Sequence, residues 1–303
     1  MLTSKNINSN NGLWFMLVAA FCFSISGACT RVLGQRLSSI ELVFFRNTIG
    51  VVFVLWSVYR RPLIQEGGKL SLLIFRGIIG TLALYTFFYS ITKIGLAEAI
   101  TYQQSYPIFL AVFSFYFFKE KLELKEWIYV LLGFIGICLI FIPQFKINLL
   151  SVKYHSFGML NAIMTALAYL SISGLSKYYD SRSIVLSFMI SGIFLPLISF
   201  FLGQFFYIDS LSFLFGDFIL PIGKEWIWIF VLSFSAMIGQ IYLTKAFSFG
   251  KSGEVSAIGY SNIIFSIIFG VILGDPYPSK ITFLGIGLIL LCGILISFKR
   301  NKT

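Results

Sequence analysis

Charge is scarce in this chain: Asp, Glu, Lys and Arg make up only 12% of it, about half of the ~25% usual in a soluble domain. There is one histidine and there are four cysteines (Cys22, Cys29, Cys138, Cys292), none of them in a CxxC pair. That composition excludes metal centres built from His and Cys clusters, and no cofactor is expected. The one histidine, His155, is expected in an outer loop, which leaves none for a Ser–His–Asp set within the apolar segments. No GxxxxGK[ST] loop occurs, which excludes transport driven by this chain's own ATP hydrolysis. The formal charge of +11 suggests nucleic acid, but no basic patch sits on a soluble element, so no nucleic-acid partner is expected.

Apolar residues are abundant instead. Hydrophobic residues reach 58% and aromatics 18%, led by 35 Phe and 15 Tyr, with a mean hydropathy of +0.90. No water-facing fold hides that much apolar surface. A bilayer-spanning helix needs roughly 20 apolar residues, and such runs recur at 13–33, 39–58, 70–92, 97–118, 125–142, 156–178, 184–205, 226–248, 254–273 and 281–298. Continuous runs such as Ile128 to Ile142 contradict the alternation of a β-barrel. The first run lacks a small-residue cleavage site and is read as a retained span. Of the 23 Lys and Arg, thirteen fall at span ends on the side of the N-terminus and seven at the opposite ends. Arg46, Arg76 and Lys245 lie within spans. This bias predicts both termini, the tails 1–12 and 299–303, in the cytoplasm.

An internal repeat organises the spans. FSISG at 23–27 returns as LSISG at 170–174; Gly95 aligns with Gly250, Glu120 with Asp275, and Gly136 with Gly293. The expected fold is therefore all-α and membrane-integral, with ten transmembrane helices as two five-helix repeats, 13–145 and 156–298. Five is odd, so the copies must be inverted relative to each other, the common architecture of secondary transporters.

The run GLAEAITYQQSYPIFLAVFSFYFFKEKL, then GFIGICLIFIP, resembles the fourth and fifth helices of the EamA-like members of the drug/metabolite transporter superfamily. The second half carries a degenerate copy, TKAFSFGKSGEVSAIGYSNIIFSIIFGVILGD then GLILLCGILIS. Arg46 in FFRN and Arg76 in FRG match arginines often found in the second and third helices of that family. The resemblance covers essentially the whole chain. It implies a ten-span transporter, and the family's substrates include amino acids, nucleotide-like metabolites, vitamins and drugs. Asn262 stands where the pattern has a second-half Pro, so the two halves need not kink alike.

The residues themselves point to a central cavity. Pro107 removes a backbone donor in mid-span and frees a carbonyl near residue 103; broken backbone at membrane depth either lines a cavity or is a packing kink. Tyr102, Gln103 and Tyr106 share one side of that helix. Ser26, Tyr85, Tyr169, Gln240, Tyr260 and Asn262 are the other mid-span polar groups expected to meet substrate; serines in spans otherwise serve close packing. Arg46 can hold an acidic group of the substrate or pair with Glu41. Lys245 can snorkel outward or pair with Glu254 as a gate, and Arg76 is near enough to an interface to snorkel. Glu98 suits the N-terminus of the fourth helix and is the carboxylate available for proton coupling. His155 is expected in an outer loop, and the Glu120, Glu123 and Glu126 cluster reads as a charge-compensated turn.

The expected function is a secondary transporter of the bacterial inner membrane. Its partners are a small-molecule substrate, the bilayer and, if coupled, protons, and it is either a monomer or a homodimer. Tyr together with Arg46 and Lys245 leans towards an aromatic solute with an acidic group, with amino acids and nucleotide-derived metabolites such as S-adenosylmethionine leading. The rival reading is a lipid or polyprenyl-carrier flippase on the same scaffold.

Overall fold

The structure is a computed structural model describing residues 9–63, 65–118, 124–145, 149–175, 177–205, 213–215, 218–249 and 258–299. The described residues form helices joined by turns, with no strand among them. In order the helices are α1 (Ser9–Leu33), α2 (Ser39–Arg60), α3 (Leu70–Ile94), α4 (Leu96–Gln104), α5 (Tyr106–Phe118) and α6 (Leu124–Phe145). They continue as α7 (Leu149–Leu175), α8 (Ser181–Gly203), α9 (Glu225–Phe249), α10 (Ser261–Ile272) and α11 (Lys280–Lys299). Six are long and apolar enough to cross a bilayer: Gly12–Leu33, Ser39–Arg60, Leu70–Ile94, Ser151–Ile172, Arg182–Gly203 and Glu225–Leu243. With large apolar side chains such as Trp56, Phe117, Trp226 and Phe230 left on the outside, this is a multi-pass membrane protein.

Local chemistry sets the helix ends. Ser38 caps α2 in a capping box: its hydroxyl accepts from Glu41 N–H, and the Glu41 carboxylate accepts from Ser38 N–H. Asp180 caps α8 by accepting from Arg182 N–H at 2.9 Å. Gly95 separates α3 from α4 at φ +94°, a left-handed conformation that costs glycine least. The fourth expected span, 97–118, is two helices rather than one. Pro107 cannot donate within the helix, and the chain turns at Ser105, whose hydroxyl donates to Tyr102 C=O at 2.6 Å.

Packing runs largely between the two halves of the chain. α1 lies along α9, α3 along α7 and α8, α2 along α8 and α9, and α6 along α11, while α4 sits between α7 and α10. Small residues allow close approach. At the α6–α11 crossing, a Cβ on Gly136 would lie 2.9 Å from Gly285 O, and one on Gly285 would lie 2.7 Å from Gly136 O. Buried Thr and Ser hydroxyls turn back onto their own helices; Thr30, Thr81 and Thr101 each donate to the carbonyl four residues earlier. α7 begins at Leu149, earlier than the expected 156, and this corrects one reading. His155 is not in a loop: it is a buried helical side chain, 3% exposed.

Candidate functional site

Between α2, α3, α8 and α9 lies a small cavity of about 30 Å³ lined by Arg46, Gly50, Arg76, Phe188, Met189, Ser233 and Gln240, among others. Arg46 and Arg76 both hold their guanidinium carbons over the Phe188 ring, at 5.8 and 4.9 Å from its centroid. Arg76 is only 8% exposed and does not snorkel to an interface, contrary to the sequence expectation. Gly80 explains how it fits: a Cβ there would lie 2.1 Å from Arg76 Nη1, so the missing side chain makes room for the guanidinium. Arg46 Nη1, Arg76 Nε and Nη1, and Ser233 Oγ are buried without a hydrogen-bond partner among the described residues. Arg46 does not pair with Glu41, whose carboxylate is taken up by Ser38 N–H and by Ile219 N–H at 2.6 Å.

Other predicted residues fall into separate groups. Tyr106 meets Tyr169 edge-on at 4.9 Å, and Tyr169 lies within electrostatic reach of both arginines. Tyr102 is fully buried; its hydroxyl shares a hydrogen bond with His155 Nδ1 at 3.0 Å. His155 Nε2 in turn lies 3.4 Å from Glu98 Oε2. Tyr85 is buried against Ser199, with the hydroxyls 3.2 Å apart. Asn262 Oδ1 accepts from Ser24 Oγ at 2.5 Å, tying α10 to α1. Tyr260 is 4% exposed, its hydroxyl without a partner among the described residues. Ser26 is buried on α1, where its carbonyl accepts from Thr30. Gln103 is half-buried and Pro107 is buried just past the break. Gln104, next to them, donates to Gly259 C=O at 3.0 Å. Lys245 is on α9, its side chain outside what the structure describes, and Glu254, Glu120 and Glu123 lie outside the described residues.

The structure thus brings Arg46 and Gln240 into one cavity and sets Tyr102, Tyr85 and Asn262 into packed contacts elsewhere. Sequence reasoning missed Arg76 and Ser233 as lining residues and His155 as the partner of Tyr102. The available signal was the glycine four residues after Arg76; the stretch before His155, with Lys146, Asn148, Ser151 and Lys153 in it, offered none.

The model of the EamA-like transporter family matches residues 10–142. A protein of Helicobacter pylori (strain ATCC 700392 / 26695), named as an uncharacterized transporter, is 31% identical over 290 residues, covering 94% of each chain. The chain belongs to the EamA-like transporter family. Two further relatives of this EamA-like transporter carry more specific names. A pseudopaline exporter of Pseudomonas aeruginosa (strain UCBPP-PA14) is 26% identical over 95% of this chain and 96% of its own. An S-adenosylmethionine uptake transporter of Rickettsia prowazekii (strain Madrid E) is 22% identical over 97% and 94%. A solved crystal structure shares the fold at a TM-score of 0.62, 16% identity and 96% coverage of both chains. Transport, and not catalysis, is what these names have in common.

At one end of this EamA-like transporter, Arg31 pairs with Asp275 at 2.5 Å and donates to Ile91 C=O and Thr92 C=O, while Asp275 also accepts from Leu96 N–H at 2.8 Å. Arg36 bonds Leu220 C=O at 3.0 Å and pairs with Glu225. Another group of contacts fastens Arg182 to Ser57 C=O, Arg61 C=O and Pro62 C=O at 3.2, 2.6 and 3.1 Å.

Proposed function

We propose that this EamA-like transporter is a secondary transporter with ten spans in two inverted repeats. It moves a small polar metabolite across a bacterial inner membrane by alternating access, with both termini cytoplasmic. The observation that carries the reading is the small cavity, lined by Arg46, Arg76, Ser233 and Gln240, between α2 and α3 from one half and α8 and α9 from the other. Such a site between repeats is where secondary transporters bind solute. The packing supports the repeat. Exchanging each helix for its expected counterpart turns the α1–α9 contact into α7–α3 and the α2–α9 contact into α8–α3, and both pairs exist. The contacts of Arg36 with the α8–α9 connection and of Arg182 with the α2–α3 connection correspond in the same way. Gln104 and Gly259, which bond each other, are 155 residues apart, the offset that relates Glu120 to Asp275.

Amino acids and nucleotide-derived metabolites such as S-adenosylmethionine lead the substrate proposal, with Tyr106, Tyr169 and Gln240 as contacts and Ser26, Tyr85, Tyr102, Gln103, Tyr260 and Asn262 as their supports. One relative is named for export and another for uptake, so the scaffold serves either direction. The test is the melting midpoint of the purified protein against amino acids, nucleosides, S-adenosylmethionine and vitamins, because a ligand bound only by the folded state raises it. A saturable shift that Gln240→Ala abolishes is expected. A shift given only by lipids would overturn this reading in favour of a flippase.

For coupling, the proposal assigns Glu98 as the proton-carrying group, with His155 between it and Tyr102. Pro107 serves as the hinge and Lys245 with Glu254 as a gate. Glu98→Gln is expected to abolish accumulation driven by a pH gradient in proteoliposomes while substrate exchange persists. Undiminished gradient-driven transport by the variant would remove Glu98 from that role.

A further inference from the structure

We propose that Arg46 and Arg76 form a two-point anion clamp and that the solute carried through this cavity bears two acidic groups; this rests on the transport reading above and narrows its substrate class to dicarboxylic amino acids and phosphate-bearing metabolites, leaving out S-adenosylmethionine with its single carboxylate. Among the described helices, Glu41, Glu98, Glu126 and Glu225 all lie within the first turn. No described helix interior contains Asp or Glu, and α3, α8 and the rest of α2 and α9 have none at all. The described carboxylates with a side-chain partner are engaged elsewhere: Glu98 lies 3.4 Å from the His155 ring, and Asp180, Glu225 and Asp275 pair with Arg182, Arg36 and Arg31.

The two cations, by contrast, sit deep. Arg46 is seven residues into α2 and Arg76 six into α3, about 10 Å along each helix at 1.5 Å per residue. A buried charge at that depth is costly unless it is paired. Neither arginine has an ion pair among the described residues, and both carry buried N–H groups without partners facing the same cavity wall. Both guanidinium carbons lie over the Phe188 ring. Arg46 Nη1 and Arg76 Nε and Nη1 have no partner among the described residues, and a guanidinium N–H edge matches a carboxylate or phosphate in bidentate fashion. Two such edges, aimed into one small space, require two negative charges for neutrality. Ser233 and Gln240 add neutral hydrogen-bonding groups to the wall; the space as it stands is about 30 Å³, below the size of small-metabolite sites, so the solute enters only as the two halves move apart.

A matched series of probes tests the charge requirement: glutarate with two carboxylates, glutaramate with one and glutaramide with none, at equal ionic strength in uncharged detergent. Glutarate is expected to raise the melting midpoint saturably and to bind at least about tenfold tighter than glutaramate, with glutaramide inert. Arg46→Gln and Arg76→Gln should each weaken glutarate by about tenfold or more, whereas Arg60→Gln, on the exposed end of α2, should not. Should a Gln variant fail to fold, the Arg→Lys variant keeps the charge but loses the fork and should fall between. Equal binding of the three compounds, no binding of any, or Gln variants that bind glutarate like the wild type, would overturn the clamp. Glutarate counterflow in proteoliposomes separates the two claims. Binding without counterflow sinks the transport reading and keeps the clamp; counterflow indifferent to both arginines sinks the clamp and keeps transport.

Discussion

Asp275→Ala is expected to lower the melting midpoint by several degrees and to speed amide exchange across residues 91–97. Asp275 is a buried acceptor with three engagements: the Arg31 side chain through both Nε and Nη2, and the backbone N–H that opens α4. Its side chain is 7% exposed and that of Arg31 only 29%, so water replaces little of what is lost. Truncating one partner of such a pair typically costs roughly 2–5 kcal/mol, much of it from the other charge left unpaired. Asp275→Asn keeps an acceptor for Leu96 N–H and should cost less than half as much. The neighbourhood leaves no room for compensation, since a Cβ on Gly95 would already lie 2.9 Å from Asp275 Oδ2. Because Arg31, Ile91, Thr92 and Leu96 belong to one half and Asp275 to the other, the contact joins the two halves at that end. An unchanged midpoint together with unchanged exchange in Asp275→Ala would show that the contact contributes nothing.

Gly285→Leu, at the α6–α11 crossing, is expected to leave little folded protein after solubilisation, measured as the monodisperse fraction in size-exclusion chromatography. The clash is with backbone, not with a movable side-chain tip: the new Cβ would lie 2.7 Å from Gly136 O and 2.8 Å from Ile140 Cγ1. Either helix must move bodily to relieve it. Gly285→Ala brings the same first atom without the rest and should be milder, on the order of the 1–3 kcal/mol that overpacking costs. Gly136→Ala meets Gly285 O at 2.9 Å, and combining the two alanines should not be additive because both strain one crossing. A Gly285→Leu protein with wild-type yield and midpoint would mean that this crossing is not held close.

Much of the fold could be read in the sequence because lipid makes length and hydropathy decisive. Six helices meet the length that a bilayer demands, and Pro107 marked the place where a long span divides. The failures have a common physical cause: depth along one helix says nothing about what an adjacent helix supplies. Counted from its own helix end, Arg76 looked close enough to water to snorkel. What buries it is Phe188 on α8 and the void at Gly80. His155 looked like loop because Lys153, Tyr154 and Ser156 surround it in the chain. Its partners, Tyr102 and Glu98, lie more than 50 positions away. Asn262, expected to meet substrate, accepts from Ser24 Oγ on α1, a partner that nothing along its own helix announces.

The absence of acids from the interiors of the described helices has an electrical consequence. If the arginines are neutralised only by cargo, the empty protein is the charged species and the loaded one is close to neutral in its core. Moving an elementary charge through the full transmembrane potential is worth about 2.3 kcal/mol per 100 mV. The voltage would then act on the unladen return, to the extent that the two guanidinium groups shift across the field as the halves rock. In that cycle the cell's membrane potential sets how quickly the site becomes available again, and has little hold on the crossing of the solute itself.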